Sequence, residues 1–122
     1  MTKKVLVADD NVHARRLVQL TLGHQNYTYL EAEDGGDALS LARDERPDLV
    51  ILDVMLPSLD GLAVCRELKA DPALAATPVL MLSCVADRGI ASRGEAAGAL
   101  RYLTKPFSPS QLLAEVEQLV KD

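Results

Sequence analysis

The chain has 122 residues and a formal net charge of −5, from 13 basic and 18 acidic side chains. This length suits one compact domain, no apolar run reaches the roughly 18–20 residues of a membrane span, and the two cysteines are too few for a disulfide framework. With no signal-peptide pattern and no dense Lys/Arg stripe to neutralise nucleic-acid phosphates, we expect a cytoplasmic protein that binds neither membranes nor nucleic acid.

Short apolar runs alternate with stretches of helical periodicity in the first half of the chain. Gly23 and Pro47 mark the ends of two of these stretches, because glycine caps helices and proline cannot continue them. The pattern predicts strands over Val5–Ala8, Tyr27–Ala32 and Leu49–Leu52, and helices over Val12–Leu22 and Asp37–Glu45.

The alternation continues in the second half. The pattern there predicts helices over Leu62–Ala70 and Asp87–Ala97 and strands over Val79–Leu82 and Leu100–Leu103. A last helix begins with Ser108 as N-cap, Pro109 in the first turn and Gln111 three residues after the cap. Alternating strands and helices in a short chain require parallel strands with helices on both faces. We therefore predict one α/β domain, a doubly wound five-stranded parallel sheet with five helices over residues 1–122, without an effector domain.

Polar residues follow the predicted strands at the points where the strands end. Asp9 and Asp10 follow the first strand and Asp53 follows the third. Ser83 lies just past the fourth strand and Lys105 just past the fifth. The carboxyl ends of parallel strands share one edge of the sheet, where open α/β sheets form their sites. We therefore expect these side chains to converge.

These residue types indicate phosphoryl chemistry with a divalent metal. Three convergent carboxylates repel one another unless a cation neutralises them, and Mg²⁺ prefers oxygen ligands. Asp53 is then the candidate nucleophile, because carboxylates form acyl phosphates. Lys105 supplies a cation, and Ser83 supplies a hydroxyl that donates to a phosphoryl oxygen.

Each of these residues also has a purely structural explanation when taken alone. Asp10 or Asn11 would cap the following helix, and Asp53 would close a turn at the end of its strand. Ser83 and Lys105 would be ordinary loop groups. All of these explanations must hold together, however, and the joint pattern favours a functional site.

The strand ends carry a specific set of motifs. They are Val5-Leu6-Val7-Ala8-Asp9-Asp10-Asn11, Leu52-Asp53-Val54-Met55-Leu56-Pro57 with Asp60-Gly61, Met81-Leu82-Ser83, and Gly98-Ala99 with Tyr102-Leu103-Thr104-Lys105-Pro106-Phe107. With these motifs the chain resembles the response regulator receiver domains of two-component signalling, in the manner of a single-domain chemotaxis regulator. The resemblance extends from Lys3 to Lys121 and implies the strand order 2-1-3-4-5.

The resemblance implies a role for each ligand of the metal. Asp53 would accept the phosphoryl group, and Asp10, Asp53 and the backbone carbonyl of Met55 would bind Mg²⁺, or Mn²⁺ in its place. Asp9 would hold the metal through water.

The resemblance also implies a switch. Ser83 and Tyr102 would rearrange on phosphorylation, Lys105 would pair with a phosphoryl oxygen, and the Lys105–Pro106 bond would be cis. From its strand position alone, Tyr102 is instead a core aromatic.

By this resemblance the chain is a phosphorylation-dependent signalling switch and not an enzyme, although it assists its own phosphorylation and dephosphorylation. The phosphohistidine of a sensor histidine kinase or a histidine phosphotransfer protein would be the donor. The donor would dock on the first helix near His13, Arg15 and Arg16, for which a solvated basic face is the alternative.

A downstream protein would bind the face formed by the fourth helix, the fifth strand and the last helix, with contributions from Arg88, Arg101 and Tyr102. Two sequence features depart from the usual family pattern beside the site. Cys84 stands where the family has Ala or Gly and would narrow access. Met55 and Val85 are apolar, and we hypothesise that they hinder the attacking water and lengthen the phosphorylated lifetime.

Three other interpretations stay open. A receiver fold that has lost signalling would serve as a scaffold. A flavodoxin-like cofactor binder would need small or hydroxyl residues in the first strand–helix turn, where this chain has Asp9 and Asp10. A Mg²⁺-dependent hydrolase would need a further catalytic acid and an insertion that covers the substrate.

Overall fold

The computed structural model describes residues 2–84, 89–99 and 101–120. Strands and helices alternate along these ranges. The strands are β1 (Lys3–Ala8), β2 (Tyr27–Ala32), β3 (Leu49–Asp53), β4 (Val79–Cys84) and β5 (Arg101–Lys105). The helices are α1 (Val12–Leu22), α2 (Gly35–Glu45), α3 (Gly61–Ala70), α4 (Ile90–Ala97) and α5 (Pro109–Leu119). None of the helices in the described ranges is long and apolar enough to cross a membrane.

The strands form one parallel sheet in the order β2-β1-β3-β4-β5. This confirms the predicted fold class and strand order. The chain crosses from β2 past β1 to β3, so the order reverses between β1 and β3. Open α/β sheets form their sites at this reversal, beyond the carboxyl ends of the strands.

Apolar side chains fill both faces of the sheet, because successive residues of a strand point to opposite sides. Val50 and Leu52 of β3 pack on the side of α2 and α3, whereas Leu49 and Ile51 pack on the side of α1 and α5. Every residue of β3 is buried. The central strand is therefore shielded from water on both faces, as its continuous apolar run predicts.

One difference from the predicted elements concerns the end of β5. The sequence pattern predicts a strand ending at Leu103, but the strand continues through Thr104 to Lys105. These two polar residues pair with Ser83 and Cys84 of β4. Hydropathy does not reveal this extension, because the backbone hydrogen bonds of the neighbouring strand impose it.

The start of α2 also differs from its prediction. The pattern predicts the helix from Asp37, but Gly35 and Gly36 already belong to it. Asp34 is the N-cap, and its side chain accepts a hydrogen bond from the amide of Asp37. A Cβ at Gly35 would lie 1.7 Å from the carbonyl oxygen of Leu59, so the glycine allows close contact with the loop after β3.

Two predicted helix starts are settled by their caps. Of Asp10 and Asn11, it is Asn11 that caps α1, because its side chain accepts hydrogen bonds from the amides of His13 and Ala14. At α5 the predicted capping box of Ser108 is present. The predicted start of α4 at Asp87 lies outside the described residues. Within the described residues, α4 begins at Ile90. Because Asn11 caps α1, the side chain of Asp10 is not the N-cap of this helix.

Candidate functional site

The end of β1 places two carboxylates beside the reversal of strand order. Asp9 is buried, with 2 % of its surface exposed, whereas Asp10 is exposed. The amide of Asp9 donates to the carbonyl of Ala32, at 3.1 Å. One oxygen of its carboxylate accepts a hydrogen bond from the amide of Asn11, at 3.0 Å. The carboxylate of Asp9 is therefore fixed by the backbone that enters α1.

Asp53 is the last residue of β3 and is also buried. Its Oδ1 accepts a hydrogen bond from the amide of Met55 at 3.0 Å, so the predicted turn at the strand end is present. Gly61 permits the following loop to fold back, because a Cβ there would lie 2.3 Å from the carbonyl oxygen of Asp53. The turn holds one carboxylate oxygen of Asp53 in place.

Lys105 joins the two buried carboxylates. Its Nζ lies 2.8 Å from Oδ2 of Asp9 and 3.1 Å from Oδ2 of Asp53. Burial lowers the pKa of Lys105, but the hydrogen bond to Asp9 and the charge of Asp53 outweigh it and raise the pKa. Burial raises the pKa of Asp53, while the hydrogen bond from Met55 and the charge of Lys105 oppose that rise.

The three aspartates are arranged to hold a cation. Carboxylate oxygens of Asp9, Asp10 and Asp53 lie within 4.8 Å of one another. One ammonium, that of Lys105, faces this group of three carboxylates, so negative charge is in excess. The donor atoms are all hard oxygens, which suit Mg²⁺. The residues present therefore fit a divalent cation, as the sequence predicts.

Ser83, Met55 and Pro106 are the next predicted features of the site, and they lie at or just beyond the carboxyl ends of β4, β3 and β5. Ser83 is buried in β4 and follows Leu82, the register partner of Asp53. The side chain of Met55 is exposed. The Lys105–Pro106 bond is cis, as predicted.

Tyr102 is not a core aromatic, which corrects one of the two expectations for it. Its side chain is 40 % exposed on β5, next to α4, and a Cβ at Gly94 would lie 4.0 Å from its ring. Because β5 is an edge strand, the face that carries Tyr102 is only partly covered. The predictions that concern Val85, Arg88 and the side chain of Cys84 fall outside the described residues.

Arg15 is buried, although the sequence analysis places it on an exposed surface. The sequence assigns it to an exposed basic face of α1, but only 6 % of its surface is exposed. Its Nη1 donates to the carbonyl of Asp9 at 2.7 Å, and its Nε donates to Glu31 at 2.8 Å. That hydrogen bond is the main reason why the pKa of Glu31 is lowered.

A cleft of about 390 Å³ opens beside Lys105, between α1 and the loop that follows β5. Leu17 and Val18 of α1 form part of one wall, and Pro106 and Phe107 form part of the other. The cleft is mainly apolar apart from the lysine and Asn11. It borders the side chain of Lys105, whose ammonium contacts Asp9 and Asp53.

Comparisons with known proteins identify the family of the chain. The family model described as the response regulator receiver domain matches residues 5–117. The alkaline phosphatase synthesis transcriptional regulatory protein PhoP of Bacillus subtilis is 40 % identical over 121 residues, which are 99 % of this chain and 50 % of that protein. The response regulator PleD of Caulobacter vibrioides is 38 % identical over 121 residues, 99 % of this chain and 27 % of that protein.

Solved structures share the whole fold. The chemotaxis response regulator CheY4 of Vibrio cholerae has a TM-score of 0.90 and 33 % identity, over 98 % of this chain and 99 % of that one. The receiver domain of the Francisella response regulator 1452 has a TM-score of 0.87 and 32 % identity, over 98 % and 97 % of the two chains.

The chain spans about half the length of the first curated relatives that it matches. The similarity therefore concerns one part of those proteins, and it spans the ends of β1, β3, β4 and β5, where the candidate site residues lie. The family model and the structural likeness both extend over nearly all of the chain. The chain belongs to the response regulator receiver domain family of two-component signalling, whose members are phosphorylation-dependent switches that bind Mg²⁺ in an acidic pocket and act with histidine kinases or phosphotransfer proteins.

Proposed function

We propose that this chain accepts a phosphoryl group on Asp53 from a phosphohistidine, in a reaction that depends on Mg²⁺ or Mn²⁺. The donor is a sensor histidine kinase or a histidine phosphotransfer protein. One observation carries the proposal: a single ammonium, that of Lys105, lies within 2.8 Å of Asp9 and 3.1 Å of Asp53. A phosphoryl group bound to Asp53 would lie within reach of the same ammonium.

Asp53 is the nucleophile in this proposal. The amide of Met55 holds its Oδ1, so the carboxylate cannot rotate freely, and its Oδ2 faces Lys105. A carboxylate oxygen forms the new bond to phosphorus as the bond from phosphorus to the imidazole nitrogen of the donor breaks. The electron pair of that bond stays on the imidazole, and the ammonium of Lys105 turns to an oxygen of the transferred group.

The metal-binding groups are those that the family resemblance implies, and the cluster of three carboxylates supports them. Asp10, Asp53 and the backbone carbonyl of Met55 would be the direct ligands, and Asp9 would bind through water. When bound, the divalent cation neutralises charge on the transferred phosphoryl group. Asp9 also holds Lys105, so the same carboxylate keeps the ammonium close to the site.

Ser83 and Tyr102 form the switch. The hydroxyl of Ser83 donates to a phosphoryl oxygen and draws the end of β4 towards Asp53. Tyr102 then changes its rotamer, which alters the surface of α4, β5 and α5 that a downstream protein binds. The position of Gly94 supports this role, because a Cβ there would lie 4.0 Å from the Tyr102 ring and the glycine leaves that space open.

The phosphodonor docks on α1 and over the cleft beside Lys105. Val12, Leu17 and Leu20 are apolar and exposed on α1, and exposed apolar side chains grouped on one element are typical of contact surfaces. Arg16 and His13 contribute the basic part of this surface. The chain is a signalling protein and not an enzyme, but its residues assist both the gain and the loss of the phosphoryl group.

Phosphorylation with acetyl phosphate and Mg²⁺, followed by intact-mass spectrometry, tests the proposal. We expect an acid-labile adduct of one phosphoryl group on the wild type, on Asp44→Asn as the control, and not on Asp53→Asn. EDTA should abolish the adduct. A wild type that gains no adduct would contradict the proposal and favour a scaffold, whereas an adduct that persists in Asp53→Asn would contradict the assignment of Asp53 as the acceptor.

A further inference from the structure

We infer that Arg15 is a positioning residue for the metal site, acting through the peptide that joins Asp9 to Asp10. Glu31 of β2 in turn holds the guanidinium of Arg15. This inference rests on the proposed Mg²⁺ dependence, and it adds a residue that touches neither the metal nor the phosphoryl group.

The geometry of Arg15 joins three elements of the fold. Its Nη1 donates to the carbonyl of Asp9 at 2.7 Å, and its Nε donates to Glu31 at 2.8 Å. The planar guanidinium keeps these donors at a fixed spacing, which a lysine ammonium cannot do. Helix α1, the end of β1 and the end of β2 are thus held in one arrangement.

The peptide after Asp9 is the part of the backbone that this arrangement fixes. The amide of Asp9 is bonded to Ala32 of β2, at 3.1 Å, and its carbonyl is bonded to Arg15. The amide and the carbonyl of Asp9 are therefore both tied to β2. The amide bonds to β2 directly, and the carbonyl is held through Arg15, which bonds to Glu31. Because the peptide unit is planar, the anchored carbonyl also sets the direction from which Asp10 leaves β1.

Asp10 depends on this anchor, because its carboxylate is exposed to solvent. Mg²⁺ demands a near-ideal octahedral arrangement of its ligands, and residues outside the ligand set often fix that arrangement. A peptide held by Arg15 therefore restricts the positions that the Asp10 carboxylate samples and lowers the entropic cost of binding the cation.

Two glutamates offset the charge of Arg15. A buried guanidinium near a divalent site would repel the cation if it stood alone. Glu31 forms a hydrogen bond with it, and Glu33 lies 3.7 Å from its Nη2. The same hydrogen bond lowers the pKa of Glu31, which keeps this carboxylate ionised at neutral pH. Arg15 can thus position the backbone without opposing Mg²⁺.

A purely structural role for Arg15 makes a different prediction. If the residue only fastened α1 to the sheet, its replacement would lower the unfolding free energy, and the molecules that remain folded would bind Mg²⁺ as before. The affinity of the folded protein for Mg²⁺ therefore distinguishes the two roles.

Isothermal titration of the whole chain with Mg²⁺ alone tests the inference. We expect Arg15→Met to bind Mg²⁺ about tenfold more weakly than the wild type. Arg15→Lys should fall between the two, because an ammonium cannot span both Asp9 and Glu31. The control is Arg43→Met, which removes the same charge from a half-exposed arginine of α2 that pairs with Glu67 and Asp71 and should bind Mg²⁺ like the wild type.

Glu31→Gln provides a second test if Arg15→Met does not fold. It keeps the bond from Arg15 to Asp9 but removes the offsetting charge, and we expect Mg²⁺ binding several-fold weaker than in the wild type. Wild-type affinity in folded Arg15→Met or in folded Arg15→Lys overturns the inference. If neither arginine variant folds, wild-type affinity in Glu31→Gln overturns it. A wild type that binds no Mg²⁺ would defeat the proposed function itself, and this inference with it.

Discussion

The ammonium of Lys105 lies 3.1 Å from a carboxylate oxygen of Asp53, although 52 residues separate them in the chain. The same ammonium also contacts Asp9, so two buried carboxylates share one cation. A divalent metal that uses these carboxylates must compete with the lysine for them. Lys105 therefore has two opposed effects, since it weakens metal binding and strengthens the hold on a transferred phosphoryl group.

Replacing Lys105 separates these two effects. We expect Lys105→Met to bind Mg²⁺ more tightly than the wild type, because the competing charge is gone. Phosphorylation by acetyl phosphate at saturating Mg²⁺ should slow by at least about tenfold, since a positioned charge on the phosphoryl group is lost.

Calorimetry and the initial rate of adduct formation measure the two effects. Lys4→Met is the matched control, because Lys4 is half-exposed and pairs with Glu45 outside the site. Weaker Mg²⁺ binding in Lys105→Met would contradict the competition.

Two adjacent glycines at the start of α2 should respond differently to alanine. A Cβ at Gly35 would lie 1.7 Å from the carbonyl oxygen of Leu59, whereas at Gly36 the nearest atom is a side-chain oxygen of Asp34, at 3.3 Å. We expect Gly35→Ala to lose about 3 kcal/mol of unfolding free energy through overpacking against the backbone. Gly36→Ala should change it by less than about 1 kcal/mol, because alanine favours the helix. Urea unfolding measures both, and equal losses would contradict the close packing of this loop.

Met55 should influence the lifetime of the phosphorylated state. Its side chain is 67 % exposed and follows Asp53 by two residues. We expect Met55→Asn to lose the phosphoryl group several-fold faster, because an amide can orient the attacking water and a thioether cannot. The decay of the adduct after removal of acetyl phosphate gives the rate. Leu20→Asn, on exposed α1, is the control, and an unchanged or slower decay in Met55→Asn would defeat the hypothesis.

Tyr29 should make stability depend on alkaline pH. Burial, with a smaller contribution from Tyr27, raises the pKa of Tyr29 from 10.0 to about 12. Between these values the unfolded chain has lost the phenol proton and the folded chain keeps it. The unfolding free energy therefore falls as the pH rises through this window, and it is unaffected by Tyr29 below it.

Urea unfolding at several pH values across this window checks the slope. We expect a shallower fall in Tyr29→Phe than in the wild type, and the ultraviolet absorbance of the phenolate should show one late-titrating tyrosine fewer. The same slope in both proteins would show that Tyr29 does not titrate late.

Much of the fold follows from local sequence patterns. The apolar run of β3 and the capping box of α5 are present where the sequence places them. The hydropathy pattern fails where tertiary contacts set the boundary of a strand. Lys105 is an example, because it extends β5 by pairing with Cys84 of β4. The backbone ladder makes that extension, and hydropathy does not report it.

The sequence by itself determined the α/β order of elements and brought Asp9, Asp10, Asp53 and Lys105 to one edge of the sheet, because the carboxyl ends of parallel strands must meet there. Only the tertiary structure decided that Arg15 is buried against Asp9 and Glu31. The periodicity of a helix identifies the direction of a side chain relative to its neighbours along the helix. It does not identify the charge that another strand brings within hydrogen-bonding distance.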